Sequence, residues 1–102
     1  MKEKSMTNTW RTVQLFLGSD GVSEVEINSV DSTQVRCNCK AFKTSSRCKH
    51  FRFVKTSMAN NNGHYTIQVP EETPDDAAAD AMDSAETFRN FIIRHAKVEV
   101  LD

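Results

Sequence analysis

Three cysteines and one histidine fall within fourteen residues: Cys37-x-Cys39, eight intervening residues, then Cys48-x-His50. Three thiolates and an imidazole make the donor set of a closed, four-coordinate zinc site, and four protein ligands leave no open position for chemistry at the metal. Three other readings use the same cysteines: one disulfide with a leftover thiol, scattered structural thiols, or another metal or a redox role. A Cys-x-Cys disulfide would close a very tight, strained loop, and nothing in the chain points to secretion. A single intervening residue lets Cys37 and Cys39 share one ion only if the backbone turns sharply. An extended chain would hold the two about 6.6 Å apart. A knuckle is therefore expected at Asn38, a residue type that tolerates turn geometry. On a regular helix residues two apart differ by about 200°. Cys48 should accordingly sit in the turn before a helix, with His50 in its first turn.

These residues resemble a SWIM-type zinc finger, the C-x-C…C-x-H module of Mutator-like transposases, some chromatin-remodelling ATPases and recombination accessory proteins. The resemblance spans residues 35 to 55 and includes Val35 before the first cysteine, Phe42 after the second, Lys49 inside C-x-H, and Val54. It departs at Ser45-Ser46-Arg47, where many members carry a Gly and a Pro; the departure concerns the inter-pair loop, not the ligands. The resemblance implies zinc on Cys37, Cys39, Cys48 and His50, and DNA or protein partners rather than one fixed activity. An accessory role in recombination, transposition or transcription follows from it. Nothing outside the finger resembles a transposase or helicase core.

The formal charge of −1 hides a segregation. Residues 36 to 55 carry seven basic side chains (Arg36, Lys40, Lys43, Arg47, Lys49, Arg52, Lys55) and no acidic ones, whereas residues 56 to 102 carry three basic and nine acidic. A divalent ion on three thiolates contributes −1, so the finger keeps a strong positive field, which is what a polyanionic partner would sense. Cations in the first turn of a helix oppose its dipole, so Arg47, Lys49 and Arg52 call for an anionic neighbour. The zinc-bound thiolates or a phosphate backbone would serve.

The elements that must position the ligands read as follows. Thr9–Leu17 and Val22–Ile27 alternate around the turn cluster Gly18-Ser19-Asp20-Gly21 and predict an antiparallel hairpin, with Val25 and Ile27 inward. Gln34–Arg36 should be a third short strand delivering Cys37. A helix is expected from Lys49 to Ala59, capped by Thr44-Ser45-Ser46, with His50, Val54 and Met58 on its apolar face and Phe51 and Phe53 on the flanks. Asn60-Asn61-Asn62-Gly63 should end it. His64–Val69 alternates and predicts a fourth strand. Thr73-Pro74-Asp75-Asp76 opens a helix expected to run to Ala96, with Ala81, Ala85, Phe88, Ile92 and Ala96 in one stripe. Val98–Leu101 reads as a short final strand. The expected fold is α+β: a small antiparallel meander, a helix anchored by a zinc knuckle, and a C-terminal helix. By region, residues 1–8 are expected to be flexible, 9–69 to form the finger domain, and 70–102 to form an acidic helical segment.

Neither a C-x-x-C redox motif, a phosphate-cradling glycine loop nor an H-E-x-x-H pair is present, so no enzymatic activity is expected. The chain has no eighteen-residue apolar run, its start lacks the apolar centre of a signal peptide, and its thiols suit a reducing interior, whether cytoplasm, nucleus or nucleoid. The leading expectation is a non-catalytic module that binds nucleic acid, DNA before RNA, through its basic finger. The competing one is a protein-interaction adaptor that uses the acidic C-terminal helix to contact a larger protein partner, with the zinc purely structural. Phe42, Phe51 and Phe53 would either stack on unpaired bases or pack beneath the metal. The acidic segment would either cover the basic face or stand apart from it.

Overall fold

The structure is a computed structural model that describes residues 10–19 and 21–101. The expected flexible start, residues 1–8, lies outside the described residues. Strands β1 (Trp10–Gly18), β2 (Gly21–Asn28) and β3 (Val35–Cys37) form an antiparallel meander. Gly18 faces Gly21 across the hairpin, and Gly21 takes φ +108°, a conformation that side-chain-bearing residues rarely adopt. Between Thr12 and Gln14 the register slips by one residue, so Val13 bulges from β1. Alternation lapses there, and Thr12, Val13 and Gln14 are all buried.

Four helices follow among the described residues: α1 (Lys40–Ser45), α2 (Lys49–Ala59), α3 (Asp75–Ala81) and α4 (Ala85–His95). The two-residue strand β4 (Glu99–Val100) comes last. The sheet order is β3-β2-β1-β4, with β4 parallel to β1. The class is α+β, as expected, with a C-terminal helix.

Three local expectations need correction, and one helix is unanticipated. His64–Val69 is not a strand, although its burial still alternates, with Tyr65 and Ile67 half-buried between exposed neighbours. The sheet edge beside β1 goes instead to β4, which pairs at Phe16 and Leu17. Side chains and one amide hold the segment in place: the Tyr65 hydroxyl donates to Gln14 Oε1 (2.7 Å), and the Lys97 amide donates to Gln68 O (2.8 Å). Next, the helix predicted to run from Asp75 to Ala96 breaks after Ala81, because Ser84 begins a new one. Its hydroxyl accepts from the Thr87 amide (3.1 Å), while Thr87 Oγ1 accepts from the Ser84 amide (3.0 Å), a reciprocal cap. Thr44 and Ser45 do not cap α2 either; their hydroxyls donate to Lys40 O and Ala41 O inside α1. Finally, α1 itself has no apolar period and no buried residue, so the sequence carries no pattern for it.

The core lies between the sheet and α2. Phe16, Val25 and Val54 are fully buried, and Val35, Met58 and the ligands Cys37 and Cys48 join them. Each large side chain removed from water in this way contributes about 1.5–3 kcal/mol. Helix α2 presents His50, Val54 and Met58 inward, on the stripe that the sequence predicted. Helix α4 packs on β1 and against α3. Arg89 of α4 reaches Glu24, whose side chain leaves β2 on the face opposite its neighbour Val25. Thus α2 and α4 flank the sheet from opposite sides.

Candidate metal centre

Cys37 ends β3, and the chain turns at Asn38. That turn is clipped to β2 in two places: the Asn38 amide donates to Glu24 O (3.1 Å), and the Glu24 amide donates to Asn38 Oδ1 (2.8 Å). The asparagine side chain thereby takes the place of a strand carbonyl, and the ladder can end while Cys39 swings round. Cys39 is the N-cap residue of α1 and Cys48 that of α2, where its Sγ accepts the Phe51 amide at 3.3 Å. His50 is the second residue of α2 and is buried.

The outcome is convergence. The four ligand atoms of Cys37, Cys39, Cys48 and His50 all lie within 4.8 Å of one another. The three cysteines are unbridged. Cys37 Sγ stands 3.6 Å from His50 Nδ1. Metal bonds of about 2.3 Å to sulfur and 2.0–2.1 Å to nitrogen, arranged tetrahedrally, give donor separations of roughly 3.5–3.8 Å. The cluster therefore fits a small four-coordinate ion with soft or borderline preference.

The electrostatics of the thiols match that use. Burial pushes the Cys37 thiol up to about 12. Burial also raises Cys48, and the Phe51 amide offsets only part of that. At Cys39 burial pulls upward too, but the amides of Phe42 and Ala41 and the neighbouring thiols prevail, and its value falls below that of an ordinary thiol. Such a pocket disfavours three bare thiolates. A divalent cation bound there would supply the missing charge and displace the protons.

The surroundings hold the imidazole. Phe16 lies 4.9 Å from the His50 ring and 5.2 Å, edge-on, from Phe53. Phe42 and Phe51 meet at 5.4 Å. All three finger phenylalanines pack against the core.

The cations separate into two groups. Arg36 stacks 4.1 Å over Trp10 and pairs with Glu26 (2.6 Å), while Lys55 donates to Thr33 O (3.1 Å). Lys40, Lys43, Arg47, Lys49 and Arg52 are exposed and have no ion-pair partner among the described residues. They occupy α1, the connection, and the first half of α2. The acidic side chains Asp75, Asp76, Asp80, Asp83 and Glu86 sit exposed on α3, α4 and the turn between them and make no ion pair with those cations.

Sequence reasoning missed Glu24. Its carboxylate accepts from the Thr12 hydroxyl and from Arg89 Nε (2.7 Å), while its backbone clips the knuckle. Burial raises its pKa, but the hydrogen bonds and charge of Arg89 and the Thr12 hydroxyl bring it below the ordinary value. A surface glutamate in an alternating strand gives no sequence signal of such a role.

Compared with models of known families, with curated proteins and with solved structures, the chain finds no match.

Proposed function

We propose that this chain is a non-catalytic zinc module of the SWIM type that binds nucleic acid through the exposed face of α1 and α2. One observation carries the reading: a closed Cys3His cluster that bears, on the two helices it anchors and the connection between them, five exposed cations without ion-pair partners. Zinc is the assigned ion because a buried three-thiolate, one-imidazole tetrahedron is its usual structural site. All four positions belong to protein, so the metal organises the surface and does no chemistry. Phosphates are the natural partners for cations that the fold leaves unpaired, and contacts of this kind fix position without reading bases. Arg36 and Lys55 contribute to the field but already have intramolecular partners. With Phe42, Phe51 and Phe53 packed inward, base stacking is no part of the reading.

The adaptor reading has one observation of its own. Ile93, off the packed stripe of α4, is 45% exposed.

Salt titration separates the two. Wild-type protein should bind duplex and single-stranded DNA at low salt with little sequence preference. The variant Lys40→Gln/Lys43→Gln/Lys49→Gln/Arg52→Gln should keep one zinc per chain and lose most of that affinity. Its log–log salt slope should drop by about 0.9 per duplex phosphate contact removed, or about 0.7 per single-strand contact. Failure of the zinc-loaded wild type to bind any duplex or single strand at low salt overturns the nucleic-acid reading in favour of the adaptor.

A further inference from the structure

On the far side of α2 from its Cys48–His50 end lies a cleft of about 540 Å³, within the range of small-ligand sites. Its walls are largely apolar: Val13, Ile27, Met58, Ile67 and Phe88 contribute, and Met82 stands at the rim 68% exposed. One wall carries Arg11, whose guanidinium sits 5.9 Å over the Phe88 ring. Arg11 Nη1 is buried yet has no hydrogen-bond partner among the described residues. A guanidinium donor shielded from water without an acceptor is costly, and a carboxylate is the acceptor whose geometry suits it best.

A second feature borders the same cleft. Tyr65, Thr66 and Ile67 have the alternating burial of a strand, but among the described residues their backbone amides and carbonyls make no hydrogen bonds. The segment is strand-like in sequence and spacing, and no strand pairs with it. Extended peptides add to such edges through main-chain bonds, with alternate side chains entering pockets alongside.

We propose that this cleft docks an extended segment of a partner protein, with apolar side chains at alternate positions and one carboxylate facing Arg11. The Tyr65–Ile67 backbone supplies the pairing, the floor of Val13, Ile27 and Met58 receives the apolar side chains, and Met82 adapts to their shape. The surface is separate from the basic face of α1 and α2, so the proposal stands or falls independently of nucleic-acid binding.

The test is an NMR titration of the zinc-loaded full chain with an acetylated, amidated hexapeptide of alternating leucine and threonine that carries one glutamate. Shifts should concentrate at Val13, Ile27, Met58 and the amides of Tyr65–Ile67. Exchanging the peptide's glutamate for glutamine should weaken binding at least fivefold. Arg11→Gln should abolish that preference, and Arg11→Lys should retain part of it. N-methylation of the peptide backbone on its pairing edge should remove binding. Zinc content and an unchanged spectrum away from the cleft check that each variant is folded. Shifts confined to other surfaces, an intact glutamate preference in Arg11→Gln, or indifference to N-methylation overturn the proposal. So does saturation of the cleft by decanoate when no peptide binds, or its closure by a second copy of the chain at rising concentration.

Discussion

Three of the four candidate metal ligands also have a structural job. Cys37 closes a strand, Cys48 caps a helix with its own sulfur, and His50 lies against the buried Phe16 ring. Removing one ligand would therefore release a bound ion and leave buried thiols without their counter-charge. Metal binding in small zinc domains contributes about 10 kcal/mol or more to the folded state. Cys39→Ser should lower zinc to well under one per chain and leave α1 and the start of α2 disordered, as read by metal analysis and amide exchange. A folded Cys39→Ser protein with no metal, or a wild type that folds without zinc, would show that the cluster is not the structural centre.

At the scale of elements, Glu24 joins parts of the chain that are far apart in sequence. Its backbone holds the knuckle at Asn38, and its carboxylate holds Arg89 of α4 and Thr12 of β1. Because the folded-state pKa of Glu24 is lowered, its stabilising contribution is fully present above the ordinary glutamate value of about 4.3 and is lost as pH falls through the folded value. Arg89 is half exposed, so the pair merits an estimate of only about 1 kcal/mol. A double-mutant cycle with Glu24→Gln and Arg89→Gln, followed by urea unfolding at neutral pH, should return a coupling of about that size. The coupling should shrink with added salt and on approach to the carboxylate range. A coupling of zero at low salt would mean that α4 is held by Ile92 and its apolar neighbours alone.

For the whole molecule, charge segregation in sequence becomes segregation in space. The acidic α3 packs on α4, which rests on β1, and the basic α1 and α2 gather at the Cys3His cluster. Shielding of the finger by the acidic segment would need ion pairs between them, and the described residues form none. Separated surface charges are screened beyond about 8 Å at physiological ionic strength. Neutralising Asp75, Asp76, Asp80 and Asp83 to Asn should therefore change DNA affinity less than about twofold at physiological salt, with a larger effect only at low salt. A tenfold gain at physiological salt would reveal a covering contact. Deleting residues 71–102 is the poorer experiment, because Ile92 is buried and β4 completes the sheet.

The sequence alone determined what depends on short-range spacing. The ligand set, the knuckle at Asn38, the hairpin turn and the inward stripe of α2 all follow from residue types within a turn or two of one another. The bounds of α2 were legible because His50, Val54 and Met58 recur at helical spacing and the asparagine–glycine run ends it; Asn62 and Gly63 do take positive φ. Tertiary structure decided whatever depended on competition between distant segments. His64–Val69 has a strand's pattern, but β4 holds the place beside β1, since only one segment can pair with an edge. Helix α1 lies between Cys39 and Cys48, which the fold brings together, and it buries no residue that would mark it in the sequence. The separation of seven similar cations into two held and five exposed rests on where Trp10, Glu26 and Thr33 fall once the sheet has formed. The unpaired Arg11 nitrogen and the cleft it borders arise in the same way, from elements that meet only in the folded chain.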